Sequence, residues 1–135
     1  MKTKVLLYLN ALFVFLIVDA IWLGVIAKDF FLGQLGPVLP LTLSPAPALL
    51  FYFFFAAGIV FFAVTPALKA GTLRAAIGRG AFLGFLAYGA YDLTNHATVV
   101  NWPVVVTVVD MTWGSFLTAL VSGSTFLLGK RLVAR

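Results

Sequence analysis

Long apolar runs, separated by clusters of glycine, proline and charge, set the pattern of this chain. The first covers about Val5 to Ala27 and is interrupted by Asn10 and Asp19. Next comes a stretch holding Gly33, Gly36, Pro37, Pro40, Pro45 and Pro47, and prolines at that density forbid one continuous helix. The pattern predicts a loop there with a short turn at the membrane interface, anchored by Phe30, Phe31 and Leu32. A second run, residues 48–65, is almost wholly apolar, has Tyr52 as its main polar group and stops at Pro66. Lys69, Arg74 and Arg79 fill the loop that follows. The third run, residues 77–100, carries a polar patch from Tyr88 to Thr98. The short turn Asn101-Trp102-Pro103 leads into the fourth, residues 103–128, with Pro103 suited to a first helical position. Each run is near the length a helix needs to cross about 30 Å of hydrocarbon. The expected fold is all-α: an integral membrane four-helix bundle, one domain over residues 1–135 with helices at about 5–27, 48–65, 77–100 and 103–128.

Composition excludes the soluble alternative. Hydrophobic residues make up 63% and charged residues 10%, against about 25% charged in a typical soluble domain. The net charge of +5 does not imply nucleic acid, because the basic residues sit at segment ends rather than in a stripe interleaved with aromatics. Lys2 and Lys4 share one side with Lys69, Arg74 and Arg79 and with the Lys130/Arg131/Arg135 tail, while Lys28 alone falls on the other. The positive-inside rule then places both termini in the cytoplasm. There is no cysteine, so disulfides and thiolate metal sites are excluded. Lys2 and Lys4 ahead of an apolar run, with Val25-Ile26-Ala27 behind it, have the outline of a cleaved signal. This apolar run continues through Asp19 and Trp22 and exceeds the roughly 7–15 residues of a signal core, so an uncleaved first helix is expected.

Small residues recur four apart at Gly80 and Gly84 and again at Ser115, Ala119 and Gly123. Such spacing lets helix backbones approach closely and offers two candidate faces for a homodimer. Gly78-x-Gly80 lacks the preceding strand and the spacing of a phosphate-cradling loop.

The candidate chemistry lies in the carboxylates. At about 1.5 Å per residue, Asp19 falls roughly 13 Å below Lys28, Asp92 about 15 Å below Trp102 and Asp110 about 10 Å below Pro103. Three helices thus bring a carboxylate to one level in the outer half of the bilayer. Tyr88, Asp92, Asn95 and His96 share a helix face, and Asp19 and Asp110 each have a tryptophan one turn on, Trp22 and Trp113. No lysine or arginine lies within a helix core to pair with these acids. Polar groups in hydrocarbon are expensive and face a protein interior or a wet cavity. Three outcomes stay open: protonated carboxyls that cross-link helices, a shared cation, or access of water from outside. The candidate ligand-binding residues are Asp19, Trp22, Tyr52, Tyr88, Tyr91, Asp92, Asn95, Asp110 and Trp113. Asp92, His96 and Asp110 are weak metal candidates, since strong transition-metal sites recruit more nitrogen or sulfur; His96 reads first as a hydrogen-bonding partner. Trp22 and Trp113 read as packing aromatics before a cation cage, and Trp102 as an interfacial anchor. Ser44, Ser115, Ser122 and Ser124 lack the context of a nucleophile elbow. No cofactor motif is present.

The strings Asp19-Ala-Ile-Trp22-Leu-Gly24, Phe51-Tyr52, Tyr88-Gly-Ala-Tyr91-Asp92-Leu-Thr94-Asn95, Ala97-Thr98, Trp102-Pro103 and Asp110-Met-Thr-Trp113-Gly114 resemble a bacterial family of small predicted membrane proteins known as a domain of unknown function, family 2177. The likeness spans nearly the whole chain. It implies a four-helix, multi-pass protein of the bacterial inner membrane and supplies no activity. His96 departs from the family pattern, where an apolar residue such as leucine is expected. The first functional expectation is binding or transport of a proton, cation or small molecule in a pocket open to the outer side. An accessory protein whose polar residues hold its helices together is the second. The third is a membrane-embedded enzyme acting on a lipid or isoprenoid, with paired carboxylates as acid and base.

Overall fold

The computed structural model describes residues 1–39 and 44–135 and is all-α. Helix α1 (Lys2–Ile21) continues through a π-helical turn, Trp22–Ile26, and breaks at Ala27. Helix α2 (Lys28–Leu35) follows where the proline-rich stretch predicts a loop. The prolines at 37 and beyond act only after Leu35, so eight residues, Lys28–Leu35, are free to wind. Pro40, part of the expected loop, lies outside the described residues.

Helix α3 (Pro45–Ile59) runs on through a second π-helical turn, Val60–Val64, into α4 (Thr65–Ala70). Pro66 therefore does not end the run. Proline lacks an N–H and its ring crowds the carbonyl four residues back, and a wider π turn immediately ahead relieves both conflicts. The helix ends instead at Gly71, whose φ of 77° is the left-handed conformation glycine adopts at a helix C-terminus. The expected basic loop is consequently only a tight turn. Lys69 lies in α4, and Arg74 and Arg79 lie in α5 (Leu73–Thr98), which Thr72 caps by accepting the Ala75 N–H at 3.2 Å. Asn101, at φ 62°, turns the chain into α6 (Val104–Val133), so Pro103 caps this helix from outside.

Among the described residues, three continuous stretches are long and apolar enough to cross a membrane: Lys2–Ile26, Pro45–Ala70 and Val104–Val133. Helix α5 is comparably long but carries Arg74, Arg79, Asp92, Asn95 and His96. Phe13, Phe54, Phe61, Phe82 and Phe116 are exposed on the outer surfaces of these helices, α5 included. An exterior of this kind suits lipid rather than water.

The core has its own register. Leu7, Ala11 and Phe15 form a buried stripe on α1 and pack with Phe55, Ile59, Val64, Leu117 and Val121. Asp19 is the next position in that four-residue series and is buried with it. Helices α5 and α6 pack along their length on small residues. A side chain at Gly80 would lie 2.7 Å from the Thr118 carbonyl, and one at Gly84 would collide with the Gly114 carbonyl. Ser115 Oγ donates to the Ala81 carbonyl at 2.8 Å, and Ala119 abuts Gly80. The two small-residue faces expected as homodimer contacts are thus used against each other inside the chain.

Candidate functional site

Asp19 reaches the interior because it continues the buried stripe of α1, and the structure surrounds it with donors. Tyr52 of α3 donates its hydroxyl to Asp19 Oδ2 at 2.7 Å, and Trp113 of α6 donates its indole N–H to Oδ1 at 3.2 Å. Trp22, one turn after Asp19, stacks on Trp113 with centroids 4.2 Å apart and planes 8° from parallel. The two Asp-x-x-Trp strings therefore meet face to face, one from α1 and one from α6. The Trp22 indole N–H is buried and has no acceptor among the described residues.

Tyr88 is seated by a missing side chain. Its ring lies directly on the backbone of Gly114, where any Cβ would collide with it. That seat turns Tyr88 toward the same region. Helix α5 also packs on Val60–Val64 and on α4, whereas it scarcely meets α3. The gap becomes a cavity of about 310 Å³. Asp19, Trp22, Tyr52, Tyr88, Tyr91, Asp110 and Trp113 line it, together with Leu23, Ala48, Phe51 and Ala87. No lysine or arginine is on the wall. The volume is at the small end of the range for small-molecule sites, about 300–1,000 Å³.

Asp92 stands behind this wall and does not line it. It is fully buried, and Asp110 on α6 is its nearest acidic neighbour. No donor among the described residues reaches either oxygen of Asp92. Asn95 is likewise off the wall and lies beside Tyr91.

His96 belongs to a different group. Its Nδ1 is 3.2 Å from Thr107 Oγ1, which accepts the Trp102 indole N–H at 3.0 Å. Trp102 is only 5% exposed, packed with Leu35, Val106, Phe30 and Phe31, so it is an internal clasp between α2 and α6 rather than an interfacial anchor. Phe30 and Phe31 join that cluster instead of standing free, and Leu32 alone of the expected anchors stays exposed. Among the described residues no three histidine, cysteine, aspartate or glutamate side chains converge on a point, and His96 does not join Asp92 and Asp110 in one group.

The chain pattern pointed to the three carboxylates and their tryptophans. It did not point to Phe51, Ala48 or Ala87 as wall residues, which carry no polar atom to mark them, nor to Gly114 as the seat of Tyr88. A second polar contact also escaped it: Asn10 Nδ2 donates to Thr125 Oγ1 at 2.9 Å, joining α1 to α6 well away from the carboxylates.

Comparison with curated proteins and with solved structures gives no match. A family model described as "Predicted membrane protein (DUF2177)" matches residues 4–127, nearly the whole chain, and the protein belongs to that family.

Proposed function

We propose that this protein binds a small organic cation in the carboxylate-lined cavity, within the outer half of the bilayer. In this reading the chain is one domain of four membrane-spanning helices, with α5 as the fourth span and both termini cytoplasmic in a bacterial inner membrane. The segregation of Lys2, Lys4, Lys69, Arg74, Arg79, Lys130 and Arg131 at one end of the helices supports that orientation. The polar residues of α5 are tolerated because Asp92 faces α6 rather than lipid.

One observation carries the reading: Asp19 and Asp110 share a cavity with no basic side chain among its lining residues, and six of the other nine are aromatic. Tyr52 and Trp113 hold Asp19 in place from two sides. A cation supplies the missing counter-charge. An aromatic ring of the wall that presents its face to the cation adds about 0.5–2 kcal/mol.

The test is titration of the detergent-solubilised protein with phenyltrimethylammonium, followed by tryptophan fluorescence and calorimetry. Saturable binding is expected, with affinity reduced about tenfold or more in Asp19→Asn and in Asp110→Asn, since about 1.4 kcal/mol corresponds to a factor of ten. Absence of saturable binding, or equal affinity in both variants, would overturn the proposal.

A further inference from the structure

We infer that the cavity is filled sideways, out of the bilayer, and that its ligand is an amphiphile: a cationic head group held at Asp19 and Asp110, with an apolar tail that passes between α3 and α5 into lipid. The inference rests on the cation-site reading and narrows its ligand.

The direction of the opening follows from which wall residues are exposed. Leu23 of the π turn after α1, Phe51 of α3 and Tyr91 of α5 are 46%, 45% and 55% exposed. Asp19 is only 4% exposed, and the two wall residues of α6, Asp110 and Trp113, are half-buried. The cavity therefore opens away from α6. On that side α3 packs on α1 but scarcely meets α5, which joins the same span only from Val60 onward, through Val60–Val64 and α4. Ahead of Val60 the two helices stand apart, and each adds a small residue to the wall, Ala48 and Ala87.

Toward the helix ends the way is covered. Phe31 of α2 packs edge-on to Trp22 with centroids 6.4 Å apart, and Trp102 packs edge-on to Tyr91 at 6.1 Å. Trp102 is itself joined to Leu35, Phe30 and Phe31. Among the described residues, α2 and the turn before α6 thus form a roof over those two rings, and the free path runs between α3 and α5. Both helices have apolar exteriors, with Leu50, Phe54, Leu86 and Leu93 exposed. A molecule taking this route has its apolar part already dissolved in the bilayer, so only the head group changes surroundings. Charge in an apolar setting is costly unless it is paired, and one ionised carboxyl compensates one cation. A cavity of about 310 Å³ has room for a head group while the tail stays outside.

The experiment is displacement of tritiated phenyltrimethylammonium from the whole protein in maltoside micelles by tetramethylammonium, dodecyltrimethylammonium and dodecanol. Dodecyltrimethylammonium is expected to act at a total concentration at least about tenfold below tetramethylammonium, because its tail leaves water for the apolar phase beside the gap. Dodecanol, which has the tail without the charge, is expected to displace nothing. A second arm places a diazirine at the tail end of the dodecyl probe and counts the crosslinks that excess phenyltrimethylammonium removes. These are expected on α3 and α5. Displaceable crosslinks on α2 or residues 101–103 instead would overturn the lateral route. Binding of phenyltrimethylammonium that the dodecyl probe cannot displace would overturn the amphiphile and leave the cation site standing. Equal displacement by dodecanol would overturn it too, since the charge would then count for nothing. Failure of phenyltrimethylammonium to bind at all would overturn both readings.

Discussion

Gly114→Val should destabilise the protein by about 1–3 kcal/mol and remove cation binding in the fraction that still folds. The cost is the usual one for forcing volume into a filled core. The reason it falls at this residue is specific. The ring of Tyr88 occupies the place of a Gly114 Cβ, and the Gly114 carbonyl is the surface on which Gly84 rests. A branched side chain must push α5 away from α6 or rotate Tyr88 into the cavity. The first movement opens the small-residue seam, and the second fills the space the ligand needs. Denaturation in mixed micelles measures the stability loss, and the phenyltrimethylammonium titration reads the site. Tyr88→Ala on the valine background supplies the discriminating control: removing the displaced ring should recover a substantial part of the lost stability. If the double variant is no more stable than Gly114→Val alone, Tyr88 is not the group that the valine displaces.

The spacing of polar residues in this chain is informative because a membrane helix has few of them. Counting residues from the helix ends places Asp19, Asp92 and Asp110 at one level, and the structure brings Asp19 and Asp110 to one cavity with Asp92 buried off its wall. The stripe Leu7-Ala11-Phe15-Asp19 is regular enough to mark Asp19 as inward-facing. Counting along a helix reports height and, by periodicity, a face. It does not report which face of a neighbouring helix is opposite, so the division between wall residues and the buried Asp92 was not legible.

Proline misled the reading of helix ends for a related reason. Pro66 carries a strong local signal to stop, but α3 and α4 are held together by packing of Ile59, Val64 and Ala67 in the interior, and a π turn absorbs the conflict. Local preference gives way where tertiary burial is larger. The same applies to Trp102, an aromatic at a helix end whose surroundings are set by α2, itself hidden within a proline-rich stretch.

The strongest test of the carboxyl pair uses stability alone and needs no ligand. Asp110→Ala is expected to cost more than Asp92→Ala, although Asp92 is the more deeply buried residue. Removing Asp110 takes away the one polar neighbour of a fully buried carboxyl that has no donor of its own among the described residues, and an orphaned buried polar group costs about 1–3 kcal/mol. Removing Asp92 leaves Asp110 on the cavity wall, where water can replace the lost neighbour. Once Asp110 is gone, removing Asp92 as well takes away the orphan. The double alanine variant should therefore be less destabilised than the sum of the singles, by about 1–3 kcal/mol in a cycle measured by denaturation in mixed micelles. Ordinary interhelical hydrogen bonds in membranes average only about 0.6 kcal/mol. Coupling near that lower figure, with equal costs for the two singles, would mean that the pair serves as simple helix glue. Coupling above it, with Asp110→Ala the costlier single, requires a buried carboxyl that depends on one neighbour.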